Sequence, residues 1–184
     1  LPITREALDV MQNYHESIAD AGVMPSPECL TVEQHERLFI LNYPGGSRLN
    51  RTIGMIVTAM LTAKSGYKIG FQFDPYRIIL DVPARTTVKD LLAILKGFVP
   101  EVGSLLRFAI KDSPSLKPQL LHSARKMGAI APDADIGKFG MKKLMEAYSD
   151  TPLYTEAVER FLFHQLDEKG MENFIHQINS GEIS

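Results

Sequence analysis

Two stretches of the chain hold cations at spacings suited to chemistry. In "LNYPGGSRLNRTIG", residues 41–54, a Pro44-Gly45-Gly46 turn runs into Ser47, Arg48, Asn50 and Arg51. The first N–H groups of a helix have no partner within it, and the helix dipole places partial positive charge there. Glycines let the backbone come close to a ligand. Arg48 and Arg51 are three apart and project from one side of the first turn. Ser47 is placed to cap the helix and to donate to an oxygen, and a guanidinium fork matches a phosphate. On the residues alone an equal alternative stands: the turn joins a strand to a helix, and the arginines pair with Glu33, Glu36 or Asp74. The second stretch is "SLKPQLLHSARKMG", residues 115–128. Leu116, Leu120, Ala124 and Met127 are expected to face a core, with His122, Arg125 and Lys126 on another side and Lys117 a turn or two earlier. Lys138, Lys142 and Lys143 follow on the next helix. Such a set suits a sugar-phosphate backbone, although a solvated helix face is the more usual role of any single run of this kind.

Other chemistries find little support. The five histidines form no H-E-x-x-H, and Cys29 has no C-x-x-C partner, so no metal site is expected. There is no G-x-S-x-G elbow, no G-x-x-x-x-G-K-[ST] loop and no DEAD or DEAH box, so no catalytic residue is assigned and the chain carries no ATPase machinery of its own. Asp74 and Asp81 flank a hairpin and are expected to serve turn geometry and charge pairing. A nucleic-acid enzyme would need a pocket with a perturbed carboxylate or a metal, and the sequence shows neither. The chain has no Trp, so base stacking would fall to Tyr43, Tyr76, Phe139 or a similar ring.

The elements that position these residues follow from periodicity and punctuation. Residues 4–20 read as a helix, with Leu8, Met11, His15 and Ile18 on one side. Residues 29–33 and 37–42 read as strands about a turn at 34–36. A helix follows from Ser47 to Lys64, with an apolar stripe of Leu49, Ile53, Ile56, Val57, Met60 and Leu61, ended by Ser65-Gly66. Tyr67, Ile69, Phe71 and Phe73 alternate with polar residues or glycine, and Asp74-Pro75-Tyr76 turns the chain into a second strand, Arg77 to Val82. Beyond Pro83 six helices are expected, over 87–96, 100–111, 115–127, 136–148, 152–166 and 168–179. Thr151-Pro152 and Asp167 mark the starts of the last two. The fold class is α+β: a small, mostly antiparallel sheet with helices over residues 1–83, then a helical bundle over 84–184, sharing an interface.

The composition bounds the rest. At 184 residues, 45% hydrophobic and 23% charged, this is an ordinary globular chain. No apolar run reaches the roughly 20 residues of a membrane span. The charged, amphipathic N-terminus is not a signal peptide, and a start at Leu1 suggests a fragment or a processed chain. One cysteine fits a reducing cytoplasm. The net charge of −2 hides blocks of −6 over residues 1–36, +9 over 37–149 and −5 over 150–184. A basic centre between acidic ends fits a nucleic acid, or a basic partner docking on the ends, as well as it fits separate solvated faces.

Four segments in order carry a family resemblance: "LTVEQHERLFILNYPGGSRLNRTIG", "FDPYRIILDVP", "LLHSARKMGAI" and "TPLYTEAVERFLFHQLD" with "INSGEI" after it. Together they resemble the DEAD/H-associated region that follows the ATPase core in archaeal Lhr proteins, the large helicase-related group of superfamily 2. The resemblance implies a non-catalytic accessory domain of an ATP-dependent DNA/RNA helicase of DNA repair, helping to enclose the translocating single strand. Its partners would be single-stranded DNA or RNA and the motor and winged-helix domains of the same polypeptide. ATP and Mg would belong to those motor domains, with no cofactor in this chain. On the family pattern Gly46, Ser47, Arg48 and Asn50 stand in the G-[ST/A]-R-x-[NH] motif, Asp74 and Arg77 in the D-P-Y-R-I hairpin, and His122, Ala124 and Arg125 in the H-x-A-R helix. The chain departs from the pattern at Asn42, where histidine is common, at Gly45, often aromatic, and at Pro118-Gln119, where relatives can carry an aromatic–basic pair.

Overall fold

The computed structural model describes residues 4–20, 26–97, 101–111, 113, 115–134, 141–149 and 151–184. Expectations that fall on Pro100, Pro114, Lys138, Phe139, residues 136–140, and the side chains of Met11, His15, Ile18, Met141 and Lys142 lie outside the described residues. Among the described residues the order is α1 (Arg5–Asp20), β1 (Thr31–His35), β2 (Leu38–Asn42), α2 (Gly46–Ser65), β3 (Gly70–Phe73) and β4 (Arg77–Asp81). Six helices follow: α3 (Val88–Lys96), α4 (Val102–Lys111), α5 (Leu116–Lys126), α6 (Met141–Tyr148), α7 (Pro152–Gln165) and α8 (Glu168–Ser180). The α+β class holds.

The sheet is antiparallel throughout, in the order β1-β2-β4-β3. Two hairpins are thus joined along β2 and β4, with Leu41 opposite Ile78 and Phe39 opposite Leu80. Those four side chains are fully buried, on one face of the sheet, because side chains alternate along a strand. The first hairpin differs from expectation. Its turn is Glu36-Arg37, with Glu36 at φ +51, so β1 runs on to His35 and β2 starts one residue later than expected, at Leu38.

Helix α2 covers the buried face. Ile53, Ile56, Val57 and Leu61 of the expected stripe are buried, and Leu49 and Met60 pack partly against the same core. A Cβ at Gly54 would lie 2.5 Å from the ring of Phe71, so only glycine lets α2 sit this close to β3. The helix ends where Gly66 turns left-handed and donates to the Thr62 carbonyl. Its other side packs on α3, α4 and α8, so a single hydrophobic core runs from Phe39 to Ile183 through both parts of the chain.

The start signals act as their chemistry dictates. The Thr151 hydroxyl accepts from the Tyr154 N–H, with Pro152 opening α7, and the Asp167 carboxylate accepts from the Gly170 N–H to open α8. Thr87 and Asp90 form a reciprocal capping box at α3. Lys64, at 2.6 Å, and Thr87 hold the Asp90 carboxyl well below the usual carboxylate range. On α5, Leu116, Leu120 and Ala124 are fully buried against α7, but Met127 is 55% exposed, contrary to expectation. It lies past the last helical residue, where the chain departs toward Gly128 at φ +72. Leu8 is also exposed rather than packed.

Candidate functional site

The start of α2 is built by the two turns that meet there. The Tyr43 N–H donates to the Tyr76 carbonyl at 2.8 Å, and the Gly46 N–H donates to the Pro75 carbonyl at 2.9 Å. Asn50 then locks the pair: its amide nitrogen donates to the carbonyls of Tyr43 (3.0 Å) and Asp74 (2.9 Å). A Cβ on Gly45 would lie 2.7 Å from Asn50 Oδ1 and 2.9 Å from the Tyr43 ring. Gly45 therefore serves close packing inside the protein, and Gly46 serves a left-handed turn at φ +79. Asn50 is fully buried. The expectation of a direct ligand contact there gives way to a positioning role, because a strand outside cannot reach a side chain with no exposed surface. Ser47 faces solvent but does not cap α2, which has no side-chain cap; Gly45 occupies the cap position. Tyr43, named for stacking, is buried with its ring 5.0 Å from Phe174. Burial, with a contribution from Glu28, pushes its phenol pKa up.

The two arginines of the first turns hold protein. Arg48 reaches the C-terminal end of α7. Its Nε donates to the Leu166 carbonyl at 3.1 Å, and its Nη2 donates to the Phe163 carbonyl at 2.8 Å and to Leu166 as well. The last carbonyls of a helix lack partners and carry the negative end of its dipole, so a guanidinium is well matched to them. One residue further on, the Asp167 N–H donates to the Thr52 hydroxyl at 2.9 Å, and that hydroxyl donates to the Arg48 carbonyl at 2.8 Å. Arg51 lies over the rings of Phe161 (4.8 Å) and Phe73 (5.6 Å) and donates to Gln165 Oε1. Burial lowers the pKa of its guanidinium. Neither arginine pairs with Glu33, Glu36 or Asp74: Glu33 accepts from Asn42 at 2.6 Å, and Asp74 belongs to Arg77. The Arg48 side chain nonetheless remains exposed, and its Nη1 has no hydrogen-bond partner among the described residues.

Asp74 shapes the second turn. One carboxylate oxygen accepts from the Tyr76 and Arg77 N–H groups (2.8 and 3.0 Å), and the other accepts from Arg77 Nε at 2.7 Å. These bonds, the Arg77 side chain foremost, hold its pKa below the ordinary value. Tyr76 itself is 71% exposed.

His122, Arg125 and Lys126 are exposed along one side of the last turns of α5, and Lys117 is half-buried. No carboxylate is paired with any of the three among the described residues; Arg125 makes one long contact, 3.4 Å, to the Ala134 carbonyl. Helix α5 packs chiefly on α7, and α7 ends where Arg48 holds it. The structure thus gathers Gly46, Ser47, Arg48, Asn50, Arg51 and Arg77 around one corner, and sets His122, Arg125 and Lys126 apart on α5. Phe163, 75% exposed in the last turn of α7, belongs to the same corner as Arg48, and the sequence reading passed over it. The signal available was its place between Leu162 and His164, opposite the buried Ala157, Val158 and Phe161.

Among the described residues no group of three metal-ligating side chains forms, and no helix is long and apolar enough to cross a membrane. A cavity of about 630 Å³ opens between α2, β3 and the end of α4; among the described residues Lys68 is the one charged residue in its lining, which is otherwise small or apolar, such as Ala59, Thr62, Phe71 and Phe108.

An antiparallel sheet covered by one long helix, with helices continuing the same core and cations displayed at a corner and along α5, defines an α+β fold. Residues 24–184 match the model of the DEAD/H associated family, and the chain belongs to that family. None of the curated proteins matches it by sequence. Its fold is shared with part of a solved structure, the Mycobacterium smegmatis helicase Lhr bound to ssDNA and AMP-PNP. The TM-score is 0.72 at 20% identity, over 94% of this chain and 24% of that one, so the chain spans about a quarter of the length of the structure it resembles.

Proposed function

We propose that this chain is the accessory, DEAD/H-associated part of an ATP-dependent Lhr-type helicase, and that it contributes sequence-independent phosphate contacts to single-stranded DNA or RNA in the translocation channel. The observation that carries the reading is the last part of α5, where His122, Arg125 and Lys126 face solvent with no carboxylate paired to them among the described residues. Membership of the family and the fold shared with a helicase that holds ssDNA support it. Exposed Arg48 adds a donor at the corner, and Gly46, Asn50 and Arg51 position it. Phosphate contacts place a strand without reading its sequence, which is what a translocase needs. Motor and winged-helix domains of the same cytoplasmic polypeptide are the expected partners, and ATP and Mg are held there rather than here.

The test is fluorescence anisotropy of a labelled oligothymidylate from low to physiological salt. Wild type is expected to bind weakly, with affinity falling as salt rises. The Arg125→Ala/Lys126→Ala variant is expected to lose about 1.4 from the slope of log affinity against log salt, about 0.7 for each phosphate contact to a single strand. An unchanged slope removes α5 from the interface.

A further inference from the structure

We propose that Phe163 is a base-stacking residue: a nucleobase of the bound single strand lies on its ring while Arg48 takes the adjoining phosphate. The inference rests on the strand-binding reading and deepens it. Single exposed hydrophobic residues are common on protein surfaces and mean little alone. Phe163 is distinguished by its surroundings. Arg48 Nη2 donates to the Phe163 carbonyl at 2.8 Å, so a cation is fixed to the backbone that carries the ring. The His164 ring stands against the Phe163 ring at 88° with centroids 5.0 Å apart, bracing it where it is 75% exposed.

The electrostatics of the corner are compatible with a phosphate. A helix C-terminus repels anions through its free carbonyls, but here Arg48 occupies the carbonyls of Phe163 and Leu166. The Asp167 carboxylate is the nearest acid along the chain, and one of its oxygens accepts from the Gly170 N–H of its own helix. Arg48 Nη1 remains for an outside oxygen, and phosphate is a stronger acceptor than a neutral carbonyl. A flat apolar ring beside a cation is the pairing that proteins use on single strands without sequence preference, since every base has a π-face. Two other exposed rings, Phe108 and Tyr67, lack the cation, whereas Arg51 over Phe73 is half-buried and Arg77 beside Tyr76 is paired with Asp74. Phe108 lines the apolar cavity, where no arginine is among the lining residues, and Tyr67 has no cation anchored to its backbone among the described residues.

Two labelled strands of about twelve residues separate stacking from phosphate contact: an oligothymidylate and a matched abasic strand with the same phosphates. Wild type is expected to prefer the base-bearing strand. Phe163→Ala is expected to weaken binding to that strand by about tenfold and to leave the abasic strand unchanged, and Phe163→Trp to restore or exceed the wild-type affinity. The exposed ring contributes little to the core, so equal melting temperatures of wild type and both variants serve as the folding control. Wild-type binding that ignores the bases, or a Phe163→Ala loss equal on both strands, overturns this inference and leaves the phosphate reading standing. Failure of the wild type to bind either strand at low salt overturns both.

Discussion

The corner at the start of α2 and the exposed side of α5 carry the same kinds of side chain and use them differently. At the corner, Arg48 holds the end of α7 and Arg51 is sandwiched against Phe161 and Phe73, so both guanidinium groups are engaged within the protein before any ligand arrives. On α5, Arg125 and Lys126 project from a helix whose opposite side, Leu116, Leu120 and Ala124, does the packing. A motif rich in glycine and arginine is therefore first a joint, and a binding surface only through what it leaves exposed. A cationic helix face costs the fold little and remains available. Arg48 combines the two features, holding the end of α7 while its side chain stays exposed.

The contrast can be broken hardest at the corner's buried lock. Asn50→Ala strips two carbonyls of their donor inside the protein, and urea denaturation is expected to show a loss of about 2–3 kcal/mol. The matching Arg125→Ala/Lys126→Ala variant should stay within about 0.5 kcal/mol of wild type. Equal stability losses in the two would abolish the distinction. A smaller effect sharpens it. Arg48→Ala removes donors from the end of α7 and is expected to cost about 1–2 kcal/mol, with amide exchange accelerated around Leu166 and Asp167, while Arg48→Lys recovers only part because one ammonium cannot reproduce the fork. No change in exchange at those amides would mean that the joint holds without it.

The weakest expected effect tests the turns through pH. Asp74 and Asp90 titrate below their ordinary values, so their contribution is complete above the normal carboxylate range and is lost as the pH falls through the lowered values. The Asp74→Asn/Asp90→Asn variant is expected to melt lower than wild type at pH 7, with the gap narrowing by about pH 3. A gap that stays constant or widens on acidification contradicts the carboxylate pairing.

What the sequence disclosed was local. The Thr151-Pro152 start of α7, the Asp167 cap and the Gly66 stop each act within a turn of their own position, and the apolar stripes of α2 and α5 follow from spacing alone. Met127 shows the limit of that logic: it kept the period of the stripe but fell beyond the helix that enforced it. The bonds that define the corner are not local. Arg48 meets a carbonyl 118 positions further along the chain, and no periodicity encodes which carbonyl it will be. Asn50 looked like a ligand-facing side chain because its burial depends on two turns that only the joined hairpins bring together. The pairing of β2 with β4, which places those turns side by side, is likewise a property of the assembled sheet.

The left-handed turn at Gly46 has a mechanical consequence. Its N–H grips Pro75, two residues later Arg48 grips the α7 end, and four further on Thr52 grips Asp167. A pull on the β3–β4 turn therefore has a route to α8 through directional bonds that bypass the greasy interior. Oil yields in every direction, whereas a short run of hydrogen bonds is stiff along its own line. The protein is soft where it packs and riveted where the two turns meet the end of α7.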